Sequence, residues 1–99
     1  MIVHWTATSL RHLDSVHSYI AVDSSHYARE TVDRLTRRSA QIGQFPYSGR
    51  RVAEFEAEDV REVLEEPYRI IYRITPDRVD VLAVIHMARQ LPRRGFRRD

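Results

Sequence analysis

The hydrophobic positions of this chain change period near its middle. In the first half apolar side chains recur every three or four residues, and in the second they alternate or run together. The opening Ile2-Val3-His4-Trp5 is short, β-branched and aromatic, which predicts a strand. Thr6 or Thr8 caps a helix in which Leu10, Leu13, Val16, His17 and Ile20 share a face. Asp23-Ser24-Ser25 interrupts that pattern and offers new N-cap residues. A second helix is expected from His26 to about Gln44, with Ala28, Val32, Leu35 and Ile42 turned inward. Its Arg29, Glu30, Asp33, Arg34, Arg37 and Arg38 face mostly outward. Two such helices joined by a short connection form an antiparallel hairpin.

Phe45-Pro46-Tyr47-Ser48-Gly49 supplies the breakers that end the helical half. Beyond it, Asp59 to Glu65 reads as a strand. Tyr68 to Thr75 reads as a stronger one, with Tyr68, Ile70, Tyr72 and Ile74 on one face. Pro76-Asp77 makes the turn, and Arg78 to His86 is so continuously apolar that it predicts a central strand covered on both sides. Pro92 and Gly95 end regular structure, and there are no internal repeats and no linker. The expectation is a single α+β domain over 1–99. An N-terminal strand and helix hairpin pack on one face of a twisted, mainly antiparallel sheet, and 88–99 form a basic, flexible tail.

Composition narrows the function. At 99 residues and 11.7 kDa the chain has room for one modest core. The absence of Cys removes disulfides, thiolate chemistry and cysteine-based zinc sites. No apolar run approaches the roughly 18 residues of a membrane span, and the start lacks a secretion signal, so a cytoplasmic protein without a membrane partner is expected. All 16 basic residues are Arg, a bias that fits codon usage better than selection for nucleic-acid contact. Their placement is more informative. The net charge is +1 over 1–49, −3 over 50–85 and +4 over 86–99, so the total of +2 conceals an acidic middle and a basic end.

Few residues are candidates for chemistry. The histidines are scattered without metal-ligand spacing, there is no nucleophile elbow, and three glycines make no phosphate loop, so neither metal nor cofactor is expected. Arg61, Arg69, Arg73 and Arg89 lie on or just after predicted neighbouring strands. Arg69 and Arg73 project from the face opposite Tyr68 and Tyr72. Guanidinium groups gathered on a sheet would hold phosphate. The alternative is that they pair with Glu62, Glu65, Glu66 and Asp80 on adjacent strands.

The succession Gly49-Arg50-Arg51-Val52-Ala53-Glu54-Phe55, Val60-Arg61-Glu62-Val63, Tyr68-Arg69-Ile70-Ile71-Tyr72-Arg73 and Val81 to Arg89 (Val-Leu-Ala-Val-Ile-His-Met-Ala-Arg) resembles the RelE/ParE toxins of type II toxin–antitoxin (plasmid stabilisation) modules. The resemblance extends to Trp5 and the helix hairpin, and it implies the fold already expected. It also implies a cognate antitoxin whose C-terminal segment wraps the toxin, with operator DNA contacted only through that antitoxin. RelE-like members cleave mRNA on the ribosome, whereas ParE-like members poison DNA gyrase. By resemblance, Arg69 and Arg89 fall on arginines of the nuclease branch, Glu54 on its base, and His86 is the one candidate acid. The nuclease branch commonly ends in a Tyr, where this chain has Phe96. The ending Val-Ile-His-x-x-Arg-Gln-Leu-Pro is closer to ParE, so a gyrase inhibitor and not an enzyme is expected. A metal-independent endoribonuclease is the alternative, and a non-toxic binding module of an autorepressor complex is a further one. For antitoxin or target contact the expected residues are Arg61, Arg69, Arg73, Arg89, Arg93 and Arg94.

Overall fold

The computed structural model describes residues 1–92. Elements follow in the order β1 (Ile2–Trp5), α1 (Ala7–Ala21), α2 (Ser25–Gln44), a single 3-10 turn (Pro46–Ser48), β2 (Arg50–Arg51), β3 (Val60–Glu65), β4 (Tyr68–Ile74) and β5 (Arg78–His86). The caps are those the sequence offered. Thr6 accepts from the Ser9 N–H at the start of α1, and Ser24 accepts from the Tyr27 N–H at the start of α2. A three-residue connection returns α2 against α1, which makes the expected hairpin. The two-residue strand β2 is an addition that the sequence pattern did not predict; its pairing with β3 sets Arg50 opposite Glu62.

The seam of α2 is more polar than periodicity predicts. Thr31, Ser39 and Gly43 are buried beside Ala28, Leu35 and Ile42, whereas Val32 is half-buried. The two hydroxyls donate to carbonyls of their own helix, Thr31 to Tyr27 O at 2.9 Å and Ser39 to Thr36 O at 2.7 Å, so neither needs a partner across the core. Gly43 lets α2 approach β1. A Cβ there would stand 2.7 Å from the Met1 carbonyl and 2.8 Å from a Val3 methyl.

The five strands form one sheet in the order β1-β5-β4-β3-β2, with β1 parallel to β5 and the other pairs antiparallel. The apolar run of β5 is therefore central, as expected. Under the helices, Leu35, Ile42, Tyr68, Ile70, Tyr72, Ile74, Val79, Val81 and Val84 make the larger core cluster. On the outer face Val52, Val60, Ile71, Leu82, Ala83 and Leu91 make a second one. Leu91 is buried, so the start of the segment expected as a tail is part of the cover of the sheet's outer face. The remainder of that segment, with Arg93 and Arg94, lies outside the described residues.

One irregularity decides what β5 presents. Ile71 pairs with Ala83 but Tyr72 pairs with Val81, so Leu82 is an extra residue, a β-bulge. Side chains alternate in a regular strand, and one extra residue reverses their parity. Val79 and Val81 join the helix-side core, Leu82 and Ala83 both join the outer cluster, and Val84 returns to the helix side.

Candidate functional site

The predicted functional residues separate into two groups with the sheet between them. On the outer face, β4 projects Arg69 between β3 and the loop that follows β2. Its Nε donates to Glu62 Oε1 at 2.6 Å, and its two terminal nitrogens hold Glu54 in a fork at 3.1 and 3.0 Å. Glu62 is itself 3% exposed and accepts from Arg50 Nε at 2.6 Å through its other oxygen. A buried carboxylate with a charged donor on each oxygen is satisfied. Hydrogen bonds from Arg69 hold the Glu54 carboxyl below the usual carboxylate range, and those from Glu54 and Glu62 keep Arg69 charged. A carboxylate so stabilised is a weak proton acceptor.

The remaining arginines of this region also meet acids of the chain. Arg51 and Arg61 both reach Glu58, at 3.2 and 3.6 Å. Arg61 leans on the helix side, opposite Tyr72, with its guanidinium carbon 5.4 Å from the centre of the Tyr47 ring. Arg73 Nε stands 3.7 Å from Asp59, too far for a hydrogen bond. Internal pairing, the alternative open in the sequence, is thus found for Arg61, Arg69 and Arg73. The partners differ in part from those expected. Glu62 is one, but Glu54, Glu58 and Asp59 come from the β2–β3 loop and its edge, while Glu65 pairs with Arg34 and Asp80 with Arg78.

Glycine and tyrosine anchor the start of that loop. The buried Tyr72 hydroxyl donates to the Pro46 carbonyl at 2.5 Å and accepts from the Gly49 N–H at 3.2 Å. A Cβ on Gly49 would run into that hydroxyl and stand 2.7 Å from the Glu62 carbonyl. Tyr72 is fully buried, and Trp5 packs against the helix-side core, so both serve the core.

The second group lines a groove of about 590 Å³ between α1 and the end of β5. The bulge at Leu82 brings His86 to the helix side, where its ring meets Tyr68 edge-on with centroids 5.6 Å apart. Its Nδ1 accepts from the Ala88 N–H at 3.1 Å, and its carbonyl accepts from the Arg89 N–H at 2.9 Å. This small turn sets Arg89 at the groove's end. His12, from α1, forms part of the wall and accepts the Val84 N–H on Nδ1 at 3.2 Å. Burial and the neighbouring Arg11 and Arg89 charges push the His12 imidazole below its ordinary value, which keeps it neutral as an acceptor requires. Burial likewise pushes the Tyr68 phenol up, so it stays protonated.

The structure thus brings Glu54 to Arg69 and His86 to Arg89, and it keeps the two pairs on opposite faces. Sequence reasoning missed His12 as a groove residue, and the one signal available was its four-residue spacing from the apolar Val16. Among the described residues no group of three or more His, Asp or Glu side chains is arranged to hold a metal ion. No described helix is long and apolar enough to cross a membrane.

Comparison with known proteins adds three findings. The sequence model of the family described as "ParE toxin of type II toxin-antitoxin system, parDE" matches residues 3–91. The Sinorhizobium fredii protein named "Putative toxin Y4kP" is 34% identical over 92 residues, covering 91% of this chain and 92% of that protein. A chain of the solved structure "Chromosomal ParDE TA system from P. aeruginosa" superposes with a TM-score of 0.72 at 20% identity, over 87% of this chain and 95% of its own.

Proposed function

Because the chain belongs to the ParE toxin family of type II toxin–antitoxin systems, we propose that it is the growth-arresting partner of such a pair. In this reading it acts in the cytoplasm on DNA gyrase, has no nuclease activity, and is neutralised by a cognate antitoxin that wraps it. The observation that supports gyrase over mRNA is the separation of the nuclease candidates. Cleavage through a ribose 2′-OH needs a base, a charge stabiliser and an acid around one phosphate. Here Glu54 is locked to Arg69 on one face, while His86 and Arg89 line a groove on the other.

Induction of the chain alone should arrest bacterial growth with filamentation, and co-expression of its antitoxin should restore growth. The discriminating experiment is a gyrase supercoiling assay run beside primer extension on translated mRNA. Loss of supercoiling with intact mRNA is expected. Codon-position cleavage that disappears in Arg69→Ala, with supercoiling untouched, would establish the endonuclease reading instead. Operator binding by the pair without any growth effect would establish the autorepressor reading.

A further inference from the structure

We propose that the turn after α2, with Phe45 and Tyr47 at its tip and Arg38 and Arg61 around it, engages the protein target of the toxin by inserting its two rings into an acidic pocket of that target. The inference rests on the growth-arrest reading above and adds where on this chain the contact is made.

Two large rings stand in solvent here. Phe45 is 65% and Tyr47 67% exposed, two residues apart in the short connection between α2 and β2. The backbone that carries them is fixed at several points. The Phe45 N–H donates to the Gln41 carbonyl and the Ser48 N–H to the Phe45 carbonyl, both at 3.0 Å. The Ser48 hydroxyl donates to the same Phe45 carbonyl at 2.7 Å, and the ring of Pro46 fixes its own φ. Beneath the turn, the buried Tyr72 hydroxyl donates to the Pro46 carbonyl and accepts from the Gly49 N–H. Rings carried on a backbone already held in place lose little conformational freedom when a partner buries them.

Positive charge is in surplus around the turn. Arg61 sets its guanidinium carbon 5.4 Å from the centre of the Tyr47 ring, and it shares the Glu58 carboxylate with Arg51. Arg38 donates to the neutral amide of Gln41 at 2.8 Å, and among the described residues it meets no carboxylate. Burial pushes the Tyr72 phenol up, while the Gly49 hydrogen bond and the Arg61 and Arg38 charges act the other way, so both guanidinium groups lie within electrostatic reach of the turn's anchor. Aromatic rings flanked by arginines are the composition of binding hot spots, and the surplus charge calls for acids opposite. A protein pocket fits better than a nucleic-acid strand. Rings two-thirds exposed on a turn project from the surface, whereas strand binders stack bases along a groove that tracks the backbone. A second copy docked by a two-fold axis would bring Arg38 and Arg61 against their own equivalents, which disfavours self-association.

The test is the gyrase supercoiling assay with the full chain. Phe45→Ala together with Tyr47→Ala should raise the concentration for half-inhibition about tenfold or more. Arg38→Glu should raise it about fivefold and flatten its dependence on salt. Both variants should keep the wild-type Tm and the wild-type affinity for the antitoxin, since the two rings are exposed and Arg38 bonds only within α2. Arg38→Glu decides alone if the alanines lower the Tm. Tyr27→Ala, 53% exposed at the other end of α2, should inhibit as wild type does. A folded double variant or Arg38→Glu variant that inhibits like wild type would overturn the inference, as would an equal loss in Tyr27→Ala. So would a double variant that loses antitoxin affinity in step with inhibition. A double variant whose one loss is binding to a fluorescein-labelled single-stranded oligonucleotide would overturn it in favour of nucleic acid. If the wild-type chain leaves gyrase untouched, the gyrase reading fails and this inference with it; if wild type and variants inhibit alike, only this inference does.

Discussion

The arginines of the outer face, Arg50, Arg69 and Arg73, each stand against an acid of the same chain, whereas Arg89 in the groove faces no acid among the described lining residues. The outer-face network joins β2, the loop after it, β3 and β4, and two of its members are buried. At the groove, α1 meets β5 through a hydrogen bond from the Val84 N–H to the His12 side chain. Similar residue types thus do different work. Charges paired internally hold an architecture together, and in the groove Arg89 stands among lining residues of which none described is acidic. The acidic middle of the sequence neutralises the sheet's own arginines, which leaves the positive character of the molecule to other parts of the chain.

That contrast can be broken most severely at Glu62. Glu62→Ala removes the acceptor of Arg69 Nε and of Arg50, while Arg69 keeps its fork to Glu54, and a loss of about 2–3 kcal/mol in unfolding free energy is expected by denaturant titration. Replacing the two buried members together, as in Glu62→Leu with Arg69→Met, should recover most of that loss, because no buried Nε donor is then left without its acceptor. If the single variant is as stable as wild type, the network is not structural and Arg69 returns as a candidate for ligand contact.

Gly49 links the two faces, since it touches Tyr72 on the helix side and the Glu62 backbone on β3. Gly49→Ala should cost about 1–3 kcal/mol through overpacking, measurable as a lowered Tm. Tyr72→Phe in the same background should return part of the loss by removing the hydroxyl in the way. A neutral Gly49→Ala would show that the loop start shifts freely, and that the Glu54 end of the network is loosely held.

The smallest effect concerns Glu54, whose side chain is partly exposed. Glu54→Gln should cost below about 1 kcal/mol at neutral pH. The sign of its pH dependence follows from the lowered carboxyl. The folded state favours the charged form, so the contribution is complete above the ordinary value of 4.5 and is lost as pH falls through the lower folded value. The stability difference between wild type and Glu54→Gln should therefore shrink on acidification below 4.5. A difference that grows on acidification would contradict the Arg69 fork.

Much of the fold was legible because it depends on neighbours in sequence. Threonine and serine caps and the alternation that sets Tyr68 and Tyr72 against Arg69 and Arg73 are local properties found in the structure. In α1, Leu13, Val16 and Ile20 pack on the core as the period predicts, but Leu10 is exposed and Ser9 takes the buried place. The site was less legible. A continuous apolar run such as Val81 to Ile85 carries no parity, so nothing in it marks Leu82 as the extra residue. In an unbulged strand in step with Val79 and Val81, His86 would point to the outer face beside Arg69. The bulge instead sends it to the groove with Arg89. Which acid meets Arg69 was equally open, because Glu54 and Glu62 reach it through strand register and loop path, which are properties of paired segments and not of either alone. The amino-acid order by itself determined the two helices, the long strands and the family. Tertiary structure decided which charges cancel and which face His86 joins, since both depend on how distant segments are brought into register.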